Sequence, residues 1–319
     1  MSCALGTEVR EATSATEVPR RLLILGGGVV GCEMADAWRT LGTEEVTLIV
    51  REPRLLVNTE DFAGEAVRAS FEQRGIVVLL EVTTEKVTRE AGGEFNVEIS
   101  GGRTLAGDQL LVAAGRAPRS TDIGLDSVGL RPGMWLTVDD TCRVEGVDWL
   151  YAVGDVNHRA LLTHMGKYQA RACGDAIAAR AKGELREDPP PWSAFTATAD
   201  HASVPQVVFT DPEVASVGLT HDRAVASRLK VRSVDYEIGN VAGASLIADG
   251  YKGHARMTVD EDRKVIVGAT FCGPGVSDLL QAATVAVVGE VPLDRLWHAV
   301  PSYPTVSEIW LRLLETYGL

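Results

Sequence analysis

A chain of 319 residues with 45% hydrophobic and 24% charged content has room for two or three globular domains with ordinary cores. Its formal net charge of −13 is spread along the sequence without a basic stripe, which speaks against nucleic acid or an anionic membrane as partner, since either needs clustered Lys and Arg. No run of about 18 uncharged apolar residues occurs, and MSCALGTEVR carries charge where a signal peptide needs an apolar stretch, so a cytoplasmic protein without membrane attachment is expected.

The five cysteines, Cys3, Cys32, Cys142, Cys173 and Cys272, are scattered and odd in number, and no two share CxxC or metal-ligand spacing. They argue against a disulfide framework, imply no metal site, and read as small buried residues.

In chain order, Glu11–Pro19 (EATSATEVP) is a polar lead-in that ends in proline. Leu22–Leu25 is a short apolar strand that runs straight into a glycine-rich turn. Cys32–Gly42 follows as a helix, with Met34, Ala37, Trp38 and Leu41 at helical spacing. Strand, turn and helix in that order suit a dinucleotide. Gly26 permits the sharp turn, Gly28 lets the backbone approach a pyrophosphate, and Gly31 lets the helix pack closely on the strand. Gly26, Gly27, Gly28, Val29, Val30 and Gly31 thus form the candidate cradle, with phosphates at the helix N-terminus, where unpaired N–H groups and the dipole favour negative charge.

A second strand, Val46–Val50, supplies the context that a lone GxGxxG lacks. An acidic residue at its end would bind the ribose 2′-hydroxyl of NAD; Val50 stands there instead, followed by Arg51, with Arg54 close by. Loss of the acid beside an arginine fits a 2′-phosphate, so NADPH is expected with Arg51 as its ligand, while Arg51 as a plain solvated charge, and hence NADH, stays open. Asp61–Gly75 is a helix with an acidic first turn and a glycine stop. Strands at Ile76–Leu80, Phe95–Ile99 and Gln109–Ala113, with turns at Gly92–Gly93 and Gly101–Gly102, complete a nucleotide-binding domain that ends near Gly115.

Ala113–Pro118 (AAGRAP) and Leu150–Val156 (LYAVGDV) read as apolar strand ends that stop at a glycine. Asp155, just past the second, would aim its carboxylate at a ligand beyond the strand; a turn or cap residue is the alternative. Leu162–Ile177 reads as a helix capped by Thr163, and Glu187–Pro191 (EDPPP) as a linker. Beyond it, Gln206–Thr210, Ala255–Val259 and Val265–Ala269 read as strands of an antiparallel sheet. Val276–Val288 reads as a helix, and Ser307–Leu314 as a capped amphipathic one.

GGGVVGCE at Gly26–Glu33, AAGRAP at Ala113–Pro118, AVGDV at Ala152–Val156, PQVVFTDPEVASVGLT at Pro205–Thr220 and YPTVSE at Tyr303–Glu308 follow one another in an order that resembles the flavoprotein pyridine nucleotide-disulfide oxidoreductases. The resemblance implies an α/β fold: a lead-in over 1–19, a Rossmann-like NAD(P)-binding domain over 20–117, a partial FAD-binding domain over 118–190, and an α+β C-terminal dimerisation domain over 191–319. It implies FAD and NADP as cofactors, with NAD possible, a homodimer, and a small-molecule electron acceptor. In such enzymes the nicotinamide reduces the flavin, and the flavin reduces a cysteine pair. By the same resemblance Gly154 and Asp155 would hold the flavin ribityl chain, the helix beginning at Thr163 and His164 would point at the isoalloxazine, and Gly115 and Arg116 would complete the cofactor set. Glu33 would lie near flavin and nicotinamide, with Tyr303 and Glu308 as the other catalytic candidates.

The chain also departs from the family pattern. Members begin with a strand and GxGxxG for the ADP half of FAD, then a CxxxxC helix, and this sequence starts after both, so an N-terminally truncated member with weak FAD binding and reduced stability is expected. Tyr303 stands where lipoamide dehydrogenase-like members have His, and a phenol with a pKa near 10 is a poor base that can still donate a hydrogen bond. His298 and Ser302 are the nearest polar substitutes, with His298 read as an interface residue. Mercuric reductase-like members share the tyrosine, but ETYGL lacks their terminal cysteine pair. Two alternatives accompany the enzyme: an inactive dimeric NADPH-binding fragment or interaction module, and a flavin enzyme completed by a separate polypeptide.

Overall fold

The computed structural model describes residues 9–89 and 93–319 and divides into two compact units. One joins the chain up to Gly115 with Pro205–Leu319; the other is Arg116–Val204. Cys3, Gly92 and most of the charged N-terminal stretch lie outside the described residues. Among the described residues no helix is long and apolar enough to cross a membrane.

In the first unit α1 (Val9–Thr13) turns part of the expected polar lead-in into a short helix, because Ala12 is buried in one core with Leu22, Trp38 and Leu111. β1 (Arg21–Leu25), β2 (Glu45–Ile49), β3 (Val77–Leu79) and β7 (Gln109–Val112) form a parallel sheet in the order β3-β2-β1-β7. Ile24 sits level with Leu48 and Leu111. Leu22 and Ile24 face α2 (Val29–Thr40) and α3 (Asp61–Gln73), in a core with Cys32, Ala35, Trp38, Val67 and Phe71. Leu23 faces the other way, onto a three-stranded antiparallel sheet of β4 (Thr84–Arg89), β5 (Phe95–Ile99) and β6 (Arg103–Gly107). Coverage on both faces explains the unbroken apolar run of β1.

α2 starts at Val29, three residues before the expected Cys32, and its buried stripe is Cys32, Ala35 and Trp38. Ala37 and Leu41, assigned to that stripe from spacing, face solvent. Close packing of Gly31 on β1 overrides the poor helix propensity of Val-Val-Gly. β4 and β6 escape sequence reading, since TEKVTR and RTLAG have no apolar alternation; their ladders to β5 create them.

In the second unit, 3₁₀ turns at Leu125–Val128 and Gly154–Asn157 and the helix α4 (Thr163–Ala181) are set in irregular chain. Leu150–Val156 is not a strand. Among the described residues it pairs only at Tyr151, with Arg143, and a strand needs a partner along its length. The AAGRAP segment, Ala113–Pro118, has no regular structure either, since β7 ends at Val112. α4 runs four residues past the expected end, and its N-cap is Leu162, which has no side-chain acceptor, so Thr163 is a first-turn residue and not the cap. Two small clusters form the apolar core, Leu125, Leu136, Val144 and Ala152 in one, Cys142, Cys173 and Ala197 in the other.

From Pro205 onward, β8 (Pro205–Val208), β9 (Glu213–Gly218), β10 (Val231–Glu237), β11 (His254–Asp260) and β12 (Val265–Gly273) form an antiparallel sheet in the order β10-β11-β12-β9-β8. Three of these match the expected strands with shifted ends. β9, β10 and the short helix α5 (His221–Ala226) add to them. Every residue of β12 is buried. Met257 and Phe271 share a core with Leu280 and Ala283 of α6 (Leu280–Val288), Leu293 of α7 (Leu293–Leu296), and Ile309 and Leu313 of α8 (Ile309–Tyr317). The expected helix Val276–Val288 opens as a 3₁₀ turn, Val276–Leu279. The C-terminal helix starts at Ile309, with Ser307 in a preceding 3₁₀ turn and no side-chain cap, so the expected cap is not formed.

Candidate functional site

The turn after β1 is built from glycines that differ in what surrounds them. Gly26 has φ +108°, and a Cβ there would stand 2.5 Å from the Ala113 carbonyl oxygen, while one on Gly31 would stand 2.0 Å from the Gly26 carbonyl oxygen. A Cβ on Gly27 would meet Val50 at 2.7 Å and Leu55 at 2.8 Å. Gly28 alone of the four opens onto space, with nothing within 4 Å of its added Cβ. It is also the N-cap of α2, where no side chain caps the helix and no acidic residue occupies the first turn. Val29, Val30 and Gly31 therefore present the positive end of a helix beside an open backbone, a cradle that fits a pyrophosphate.

At the end of β2, Val50 is buried beneath Gly27, and the Arg51 side chain is 78% exposed with Glu52 2.9 Å from its guanidinium. Arg54 is committed elsewhere, donating to the carbonyls of Leu55, Leu56, Val57 and Thr59. Glu33, on α2, accepts the backbone N–H of Phe209 at 3.0 Å, and burial pushes its carboxyl above the usual carboxylate range. One turn on, Asp36 accepts from Arg74 and from the Asp211 N–H, both at 2.6 Å. These contacts dock the β8–β9 loop, with its cis Asp211–Pro212 bond, onto the nucleotide fold. Asp36 and Arg74 lack any sequence signal for this role; the pairing spans 38 residues.

In the second unit Arg116 and Asp155 come together. The Arg116 Nη1 lies 3.0 Å from Asp155 and donates to the Leu161 carbonyl at 2.8 Å, just before α4. Asp155 is the second residue of the 3₁₀ turn, its carboxylate more than half exposed, and Gly154 before it has φ +76°. α4 has neither a side-chain cap nor an acidic first turn, and Thr163 and His164 lie on that turn with their side chains exposed. An exposed carboxylate beside the positive end of a 19-residue helix fits a ligand that carries both hydroxyls and an electron-rich ring edge. Gly115, at φ +145°, precedes Arg116.

Tyr303 and Glu308 are not joined by a hydrogen bond among the described residues. Tyr303 is 77% exposed, ahead of a cis bond to Pro304. Glu308 is buried, one oxygen paired with Arg312 and the other, Oε2, without a hydrogen-bond partner. His298 is exposed, and the Ser302 carbonyl accepts from Thr305. Cys32, Cys142, Cys173 and Cys272 are buried free thiols. Burial pushes Cys142 and Cys272 up to about 12, so neither is a ready thiolate. Among the described residues no group of three or more His, Cys, Asp and Glu side chains is placed to hold a metal.

A family model described as pyridine nucleotide-disulphide oxidoreductase matches residues 6–182, and one for the dimerisation domain of the same family matches residues 204–313. Dihydrolipoyl dehydrogenase of Chlamydia trachomatis serovar D is 30% identical over 297 residues, which cover 92% of this chain and 59% of that protein. The dihydrolipoyl dehydrogenase of Geobacillus stearothermophilus is 26% identical, with coverages of 95% and 62%. The chain thus spans about three-fifths of the length of the curated relatives it matches. Among solved structures, LpdA from Mycobacterium tuberculosis is 25% identical with a TM-score of 0.81, over 98% of this chain and 64% of that one. The HOCl-induced flavoprotein disulfide reductase RclA from Escherichia coli, at 21% identity and a TM-score of 0.80 over 97% of this chain and 67% of its own, shares the fold.

Proposed function

Because this chain belongs to the pyridine nucleotide-disulphide oxidoreductase family, whose model spans residues 6–182, we propose that it takes part in hydride transfer from a reduced nicotinamide coenzyme to a flavin. The observation that carries the reading is the uncapped start of α2 over Gly28, the one position of the turn where a ligand can approach the backbone. Gly26 and Gly27 shape the turn, and Val29, Val30 and Gly31 offer their amides to the pyrophosphate. Arg51 holds a 2′-phosphate, which makes NADPH the preferred coenzyme and NADH the alternative. Glu33 orients the nicotinamide end, where burial holds its carboxyl above the usual carboxylate range and its Oε1 already accepts the Phe209 N–H.

When bound, FAD supplies the two-electron acceptor that takes the hydride. Asp155 would hold its ribityl hydroxyls, with Arg116 keeping that carboxylate in place, and the first turn of α4, with Thr163 and His164, would turn the positive end of the helix toward its ring. The domains would run over 20–117 for NAD(P), 118–190 for part of the FAD site and 191–319 for pairing of two identical chains, with a small molecule as final acceptor. Tyr303 would serve as a hydrogen-bond donor to that acceptor, and Glu308, held by Arg312 and not by Tyr303, is the other catalytic candidate. The net reaction consumes NADPH, one proton and the oxidised acceptor, and yields NADP and the reduced acceptor. A cytoplasmic location is part of the same reading. A second reading, a dimeric coenzyme-binding module without turnover, draws support from the four buried, protonated thiols.

Titration of the protein with NADPH and NADH, followed by nicotinamide fluorescence, tests the first step, with dye reduction in the presence of added FAD testing turnover. Gly28→Ala and Arg51→Ala should each raise the NADPH Kd about tenfold, Arg51→Ala leaving NADH unchanged. No coenzyme binding by the unaltered chain overturns the proposal, and binding without dye reduction favours the module.

A further inference from the structure

Gln169 is a fully buried amide in the otherwise apolar stripe that α4 forms with Met165, Ala172, Cys173 and Ala176. Its Oε1 accepts two hydrogen bonds, from the Gly154 backbone N–H at 2.7 Å and from the Asn157 Nδ2 at 2.9 Å. Its Nε2 donates to the Asp200 Oδ2 at 2.9 Å. This pattern admits one orientation of the amide, because the flipped group would set its NH₂ against two donors.

Both ends of the 3₁₀ turn that carries Asp155 are therefore tied to one side chain of α4. The helix also closes on the turn through Gly166, where a Cβ would stand 3.1 Å from the Gly154 Cα. Behind the amide, the Asp200 carboxylate is 1% exposed and meets Arg159 Nε at 3.1 Å, with its Oδ1 lacking a hydrogen-bond partner. Arg159 reaches on to Asp140 at 2.8 Å, and His201 to the same carboxylate at 2.8 Å. A buried chain of this kind holds only if each member is present, since losing one strands the others without partners.

We infer that Gln169 is a positioning residue: it locks the Gly154–Asn157 turn onto α4 so that the Asp155 carboxylate and the helix N-terminus are held in one geometry for one ligand. The inference rests on the flavin reading above. Asp200 orients the Gln169 amide, and Arg159 neutralises Asp200.

The test uses the full chain with FAD as probe, read by flavin fluorescence, beside hydrogen exchange over residues 152–158 without flavin. Gln169→Leu keeps the volume and removes both hydrogen-bonding functions. It should raise the FAD Kd about tenfold and speed exchange over that segment by a similar factor, with β1 exchange unchanged. Gln169→Glu keeps the acceptor but opposes Asp200, so its Kd should rise with pH across the carboxylate range more steeply than the parent's; the added change Asp200→Asn should bring it back to within about threefold of the parent. A parent chain that takes up FAD alongside a Gln169→Leu variant with the same Kd and the same exchange overturns the inference alone. A parent chain that takes up no FAD overturns the flavin reading and the inference with it.

Discussion

The glycine turn after β1 and the one at Gly154 each place a left-handed glycine ahead of an uncapped helix, yet the two are secured differently. The first is held by backbone and apolar packing: Gly31 presses on the Gly26 carbonyl, Gly26 on Ala113, and Gly27 on Val50 and Leu55. The second is held by side-chain hydrogen bonds from Gln169, Asn157 and Arg116, with Asp200 buried behind them. The difference follows the cores. β1 is buried on both faces, whereas the second unit has two small apolar clusters and draws its definition from polar contacts. A packed turn tolerates changes of pH and salt but no added atom at its crowded glycines, Gly26, Gly27 and Gly31; a hydrogen-bonded turn tolerates atoms better than lost partners.

The sharpest way to break this comparison is to add one methyl group to each turn. Gly31→Ala puts a carbon into backbone that cannot move without displacing β1, and should cost about 3 kcal/mol or more in denaturant unfolding. Gly154→Ala meets its nearest atom, the Gly166 Cα, only at 4.0 Å, so it bears the left-handed φ alone and should cost about 1–2 kcal/mol. Equal losses would end the distinction.

Charge sharpens it from the other side, because the first unit has a polar clasp of its own at His254. Its Nε2 lies 2.8 Å from Asp235 and its Nδ1 2.7 Å from Glu237, and the Phe62 ring packs against it at a tilt of 53° with centroids 4.4 Å apart. Arg256 bridges Asp235 to Glu60, with Asp61 nearby. Both ring nitrogens face carboxylates, which requires the imidazolium, and the hydrogen bond to Asp235, with that to Glu237, raises the His254 pKa against the effect of burial. The stabilisation is complete below the ordinary histidine value of about 6.5 and is lost as pH climbs through the higher folded value. Denaturant melts at about pH 6 and pH 9 should therefore show a loss that His254→Gln abolishes. Smallest of all, Arg116→Ala removes an exposed pair and should change stability by less than about 1 kcal/mol, which thermal melting reads directly.

How much of this was legible in the linear chain varies with the kind of contact. LLIL, the glycine spacing and the β11 and β12 runs state burial in their own composition, and they fold where composition predicts. LYAV carries the same apolar signal yet forms no strand, since among the described residues it finds a ladder partner only at Tyr151. TEKVTR carries almost none and is a strand, because β5 lies beside it. At the candidate site the glycine turn after β1 was readable from spacing; Asp155 sits on a 3₁₀ turn, as its alternative reading had it, and not past a strand end, and Gln169 was visible only as a polar residue in an apolar helical stripe. Its partner Asp200, 31 residues on, was not readable, nor was the pairing of Asp36 with Arg74.

The sequence by itself determined which segments seek burial and where the chain can turn, because hydrophobic period and glycine's missing Cβ are local properties. Only the tertiary structure decided which segment became whose neighbour, where α2 and α8 begin, and which buried polar groups meet. Those outcomes are set by hydrogen-bond partners and close approaches between residues far apart in the chain, and no window of local sequence contains both members of such a pair.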